Sequence, residues 1–259
     1  FPWNLIVYSF TNQLEFISIT SIIGTYGLNL FCISLFITPA LFILRDSKKD
    51  TGVCIFFIIS VIFFYIYGNF YKEEFHKAFE KDYEYKIRVI GSNISLDRFY
   101  TNMDPVLVIQ DLIEISDPIK DKKTIFVWPE GILPGILQKD LINYHWLFKD
   151  KFDDNHILII GTNSQSEIQG FNNYYNSLTI YDNQLNIFDS YNKINLVPFG
   201  EFLPLEKFFS RIGLRALTNK YQSFSSGDRR DIIEIKTEKF NLKILPLICY
   251  EIIYSGKLF

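Results

Sequence analysis

From Phe16 to Leu44 the chain carries no charged residue. A helix needs about 20 predominantly apolar residues to cross the hydrocarbon core of a bilayer, so this run spans it with room to tilt or to kink at Pro39. A second uncharged stretch, Thr51 to Tyr71, contains Val53-Cys-Ile-Phe-Phe-Ile-Ile59 and ends near the interfacial aromatics Tyr65 and Tyr67. Both runs are too long for a secretory signal, and no small-residue cleavage site follows either. The competing reading is a pair of buried core helices. Composition favours the membrane: a mean hydropathy of +0.10 with 21% charged residues is high for a wholly soluble chain.

Between the two runs lie Arg45, Lys48 and Lys49. Positive charge is retained on the cytoplasmic side, so the second span runs outward and everything after about Lys72 is expected to be extracytoplasmic, which is the periplasm in a diderm bacterium. The expected organisation is a membrane portion over residues 1–71 (spans about 16–44 and 51–71), a connecting stalk over 72–84 and a soluble domain over 85–259. Residues 1–15 read as an interfacial segment. A first residue other than Met, and an end at Phe259 in mid-segment, lead to the expectation of a fragment lacking both termini, with the soluble domain truncated. A net charge of −3 gives no electrostatic footprint for nucleic acid.

Beyond the stalk, strand-like and helix-like segments alternate. Strands are expected at Tyr85–Gly91, Thr124–Trp128 and His156–Gly161, and helices at Val106–Ile115 and Ile136–Lys149. A hairpin turned at Asp182-Asn183 and a further pair, Ile232–Ile235 with Asn241–Ile248, complete an α/β pattern. In such folds ligands sit at the carboxyl ends of strands.

Three reactive side chains fall at such ends: Glu130 after Thr124–Trp128, Lys193 after the hairpin and Cys249 after the last strand. The other cysteines, Cys32 and Cys54, lie in the apolar runs, so Cys249 has no partner in an oxidising compartment. Each group alone has an ordinary reading: a buried structural thiol, a solvated loop carboxylate, a surface lysine. Together they are the parts of an acyl-transfer site. The thiolate attacks, a carboxylate takes the proton, and an ammonium stabilises the oxyanion. Histidine is the usual partner of a reactive cysteine, but His76, His145 and His156 lack a surrounding motif.

The segments Trp128-Pro-Glu130, Tyr191-Asn-Lys193-Ile-Asn-Leu-Val-Pro-Phe-Gly-Glu201-Phe-Leu-Pro204 and Ile248-Cys-Tyr-Glu251 resemble the Glu, Lys and Cys blocks of the nitrilase superfamily. More narrowly, the long middle block and Cys-Tyr-Glu resemble the apolipoprotein N-acyltransferase family, as do Phe1-Pro-Trp-Asn4 and Gly24-Thr-Tyr-Gly-Leu28. The resemblance implies an incomplete α-β-β-α sandwich on transmembrane helices, facing the periplasm from the bacterial inner membrane. It implies ping-pong transfer of a fatty acyl chain from a phospholipid, through a Cys249 thioester, to the α-amine of an S-diacylglyceryl-cysteine apolipoprotein. Glu130 matches the general base, Lys193 the oxyanion lysine, Cys249 the nucleophile and Glu201 a second carboxylate; Tyr250 and Glu251 flank the nucleophile. No cofactor or metal is implied. Phe99 stands where the family usually has Trp. The alternatives are a membrane-anchored amidase or nitrilase-type hydrolase and an inactive degenerate fragment.

Overall fold

The computed structural model of the chain describes residues 4–44, 47–79, 84–92, 104–133, 135–168, 170–202, 204 and 223–253. Phe99, Phe1 to Trp3, and Arg45 of the charged loop lie outside the described residues. The chain divides into two compact units, one built on residues 1–82 and the other on residues 83–252.

The first unit holds α1 (Leu14–Ile17), α2 (Thr20–Ile43) and α3 (Lys48–Phe79). Both α2 and α3 are long and apolar enough to cross a membrane. Their large side chains point outward: Leu30, Phe36, Ile43, Phe56, Ile62 and Ile66 are each more than half exposed. In water that much bare apolar surface costs about 25 cal/mol per Å², and lipid removes the cost. A small core of Phe16, Leu28, Cys32 and Phe64 joins the helices. Two glycines shape this unit. Gly24 breaks α2 with φ 70°, which glycine adopts freely. A Cβ on Gly68 would lie 1.7 Å from the carbonyl oxygen of Glu15, so only glycine permits that approach. Helix α3 continues unbroken from the apolar stretch through Lys72 to Phe79.

The second unit is a mixed α/β structure. Its five-stranded sheet has the order β1 (Lys86–Val89), β2 (Thr124–Trp128), β3 (His156–Ile168), β4 (Phe171–Tyr181), β5 (Ile187–Asn192). The first three strands run parallel, and β3, β4 and β5 run antiparallel. Two short strands, β6 (Ile233–Lys236) and β7 (Asn241–Ile244), form a separate antiparallel ribbon.

Side-chain alternation sorts the sheet into two faces. Phe126, Trp128, Leu158 and Ile160 point into a core shared with Ile109 and Leu112 of α4 (Pro105–Ser116) and with Phe148 of α5 (His145–Phe148). Ile125, Ile157, Ile159 and Ile180 point the other way, into a core with Ile233, Ile235 and Leu242 of the ribbon. The layers thus run helix, sheet, ribbon. Asp104 caps α4 by accepting from the Val106 N–H at 2.9 Å, Pro105 takes the first helical position, and Asp117 closes the helix in the left-handed region.

Three expectations shift. The segment expected as a helix over Ile136–Lys149 is a 3₁₀ stretch, Gln138–Tyr144, followed by one α turn, because Leu137 bridges to Asn163 of β3 and pins the chain to the sheet. Strand β3 runs on to Ile168, past the expected end at Gly161, to form a long hairpin with β4. Strand β7 stops at Ile244 rather than Ile248: Pro246 has no N–H for a ladder, and the Ile248 N–H is taken by a side chain.

Candidate active site

Glu130 stands two residues beyond the carboxyl end of β2, after Pro129 has ended the ladder. Behind it, Gly161 of β3 makes room: a Cβ there would lie 2.5 Å from Glu130 Cα and 2.6 Å from the Pro129 carbonyl oxygen. Lys193 follows β5 directly, its N–H donating to the Asn176 carbonyl of β4 at 2.8 Å. Gly227 packs against the backbone just before Lys193, where a Cβ would lie 2.2 Å from the Asn192 carbonyl oxygen. Thus two elements carrying charged groups are each seated on a glycine.

The Lys193 side chain is 1% exposed, and its Nζ reaches Glu130 Oε1 at 3.3 Å and Glu201 at 3.0 Å. Burial opposes its charge. The carboxylates of Glu130 and Glu201 outweigh that opposition and hold the ammonium above the ordinary lysine value. Glu201 in turn accepts from the Val197 N–H at 2.8 Å, which folds the Val197–Glu201 turn around its own carboxylate. The ring of Tyr250 lies 5.5 Å from Lys193 Nζ, and its hydroxyl donates to the Leu196 carbonyl at 2.6 Å.

Cys249 opens a 3₁₀ turn, Cys249–Ile253, with φ 55°, a left-handed conformation that a side chain adopts at a cost of about 1–3 kcal/mol. The residue is exposed at the surface of this unit. Burial of its surroundings pushes the thiol above the ordinary cysteine range, and the negative charge of Glu130 adds to this; Lys193 and the Tyr250 N–H pull the other way. Glu130, Lys193, Glu201 and Cys249 therefore share one electrostatic environment, with two carboxylates facing one ammonium. At neutral pH the thiol is protonated and needs a base before it can attack.

Glu251 holds this arrangement from behind. It is fully buried and accepts from the N–H groups of Ile194 (3.1 Å), Asn195 (3.0 Å) and Ile248 (2.9 Å) and from the Tyr191 hydroxyl (2.8 Å). Arg230 neutralises it at 2.8 Å. One carboxylate therefore ties the segment after Lys193 to the segment before Cys249. The Tyr191 phenol, buried beside this carboxylate, is pushed up to about 12.

Sequence reasoning missed four residues here. Asn176 donates to Glu130 at 2.6 Å and to Glu201 at 2.7 Å. Arg230, Gly161 and Gly227 act through approaches between segments far apart in the chain, and none carries a local signature. The buried His156 is committed elsewhere: its Nδ1 accepts from the Asp153 N–H at 3.0 Å and its Nε2 faces the Ile119 carbonyl at 3.1 Å. Among the described residues, no group of His, Cys, Asp or Glu is placed to hold a metal ion.

No family model matches the chain. An apolipoprotein N-acyltransferase of Brucella suis biovar 1 (strain 1330) is 25% identical over 265 residues, covering 100% of this chain and 48% of the relative. That of Rhizobium etli (strain CIAT 652) is 28% identical over 272 residues, covering 100% and 49%. That of Caulobacter vibrioides (strain ATCC 19089 / CIP 103742 / CB 15) is 26% identical over 265 residues, covering 99% and 48%. The chain spans about half the length of the curated relatives it matches. Among solved structures, an N-terminal amidase is 15% identical with a TM-score of 0.40, covering 66% of this chain and 40% of its own. A carbon-nitrogen hydrolase from Helicobacter pylori G27 is 17% identical with a TM-score of 0.35, covering 60% and 48%. Along its whole length, apolar helices and α/β unit together, the chain is a homologue of proteins named apolipoprotein N-acyltransferase.

Proposed function

We propose that the chain carries the acyl-transfer centre of an N-acyltransferase. In this reading it moves a fatty acyl chain from a membrane phospholipid to the N-terminal α-amine of a diacylated apolipoprotein, on the periplasmic face of the plasma membrane. The observation that carries the reading is the buried Lys193 ammonium gripped by Glu130 and Glu201, in the same electrostatic environment as the exposed Cys249. The match of the whole chain, apolar helices included, to proteins of that name supports a lipid-directed transferase over a soluble amidase.

The steps follow from the groups present. Glu130 takes the Cys249 thiol proton as sulfur attacks the carbonyl carbon of the phospholipid ester. The tetrahedral oxyanion is stabilised by Lys193, a contact whose loss typically costs about 10²–10³-fold in rate. The C–O bond breaks, Glu130 returns the proton to the departing oxygen, and a lysophospholipid leaves behind a thioester. The α-amine of the lipoprotein then attacks the same carbon, and Glu130 takes a proton from nitrogen and passes it to sulfur as the C–S bond breaks, giving an amide and the restored thiol. A water attacking in the amine's place would make the protein a hydrolase, so the second step decides the class.

The test uses the full chain in detergent with a labelled phospholipid and a diacylated lipopeptide. Label is expected on Cys249 when phospholipid is supplied alone, and on the lipopeptide once both are present. Cys249→Ser, Glu130→Ala and Lys193→Ala are each expected to lose transfer. Hydrolysis of simple amides with no label on the lipopeptide assigns the hydrolase instead. Near-normal turnover by any one variant removes that residue from the mechanism.

A further inference from the structure

Two carboxylates sharing one ammonium leave a negative charge in excess, and the two like charges repel one another. Here a third group is interposed. Asn176, 6% exposed on β4, places its side-chain nitrogen 2.6 Å from Glu130 Oε1 and 2.7 Å from Glu201 Oε1. An amide nitrogen carries two hydrogens, and both are used, one on each carboxylate. The opposite orientation of the amide would set its oxygen against two acceptors, so hydrogen-bond chemistry fixes the assignment. The main chain of the same residue accepts from the Lys193 N–H at 2.8 Å, so Asn176 meets both carboxylates and the backbone that carries the ammonium.

We propose that Asn176 is a positioning residue that holds the Glu130 and Glu201 carboxylates in place around one ammonium, so that Glu130 is presented as the base towards Cys249. The inference rests on the acyl-transfer reading of the site and assigns this amide a task within it. Donors to the charged form of a carboxylate favour that form. Asn176 supplies one to each carboxylate without adding charge, which a second lysine would not do. Among the described residues, the charged and titratable groups facing Glu130 are Lys193, Glu201 and Cys249, from the segments after β5, around the Val197–Glu201 turn and after β7.

The experiment reads the burst of nitrophenol released when Cys249 is acylated by a short p-nitrophenyl ester, over a range of pH, with the full chain in detergent. This ester needs neither phospholipid nor lipoprotein. A protein that shows the burst but transfers nothing to lipopeptide loses the function proposed above while leaving the role of Asn176 measurable. In Asn176→Ala the burst rate is expected to fall about 10²-fold at neutral pH, as misplacement of a catalytic group by about 1 Å does. The apparent ester affinity is expected to hold. The acidic limb of the rate profile is expected to move to higher pH, because a carboxylate stripped of its donor keeps its proton longer. The isosteric Asn176→Asp, which adds a like charge, is expected to move the limb further still. The position of the limb does not depend on how much protein is folded, so Asp decides alone if Ala folds poorly. An unmoved acidic limb in Asn176→Asp, with loss only of burst amplitude, overturns the proposal and leaves Asn176 a packing residue.

Discussion

At the scale of single residues, the site reads as a balance of charges on one sulfur. Glu130 raises the Cys249 thiol and Lys193 lowers it, with burial the larger raising cause. Replacing each partner by a neutral analogue should therefore move thiol reactivity in opposite directions. In Glu130→Gln the midpoint of Cys249 alkylation by iodoacetamide is expected to fall; in Lys193→Met it is expected to rise. Acyl transfer is expected to fall in both. Reading the Cys249 peptide by mass spectrometry separates it from Cys32 and Cys54, and midpoints moving the same way in both variants would mark a structural disturbance rather than lost charge. The sulfur, acid and amine were legible in the sequence because each sits in a short pattern at the end of a strand. Asn176 was not legible: its partners, Glu130 and Glu201, lie 46 and 25 positions away, and only the register of β4 against its neighbours brings them within reach.

At the scale of elements, the short apolar runs Thr124–Trp128 and His156–Gly161 announced strands, because a parallel strand buried on both faces reads as a continuous apolar stretch. What such a run does not encode is where a ladder stops, since Pro246 and the claim of Glu251 on the Ile248 N–H are events of tertiary structure. The same holds for close approach. Gly161 sits in mid-strand, where glycine weakens a strand unless something needs the room. Here the backbone of Pro129 and Glu130 needs it. Gly161→Ala is expected to leave β3 paired but to push Glu130 away from Asn176 and Lys193, because backbone, unlike a flexible side chain, has no alternative place to go. The expected result is a loss of acyl transfer of about 10²-fold with the fold retained, in line with a displacement of about 1 Å at a catalytic group. Circular dichroism and the ester burst together check it, and wild-type turnover in this variant would mean that Glu130 tolerates displacement.

At the scale of the whole molecule, the proposed chemistry gives the apolar helices a reason. A sixteen-carbon acyl chain drawn fully into water costs on the order of 12 kcal/mol at about 0.8 kcal/mol per CH₂, so an enzyme that handles two lipids has reason to be held at the bilayer. The proposed side of the membrane rests on charge. Lys48 and Lys49 open α3, and between Thr51 and Tyr71 no charge interrupts it. Cytoplasmic retention of those lysines would send the helix outward and leave the α/β unit in the periplasm, where diacylated lipoproteins present their free amines. This orientation is open to direct measurement in intact cells expressing single-cysteine variants on a background lacking the three native thiols. Ser47→Cys, at the start of α3, is expected to resist a membrane-impermeant maleimide until the cells are lysed. Lys236→Cys, exposed on β6, is expected to react before lysis once the reagent can reach the periplasm. Reversed protection would put the thiol of Cys249 on the cytoplasmic side, away from the lipoprotein amine, and the transferase reading would then fail on topology alone.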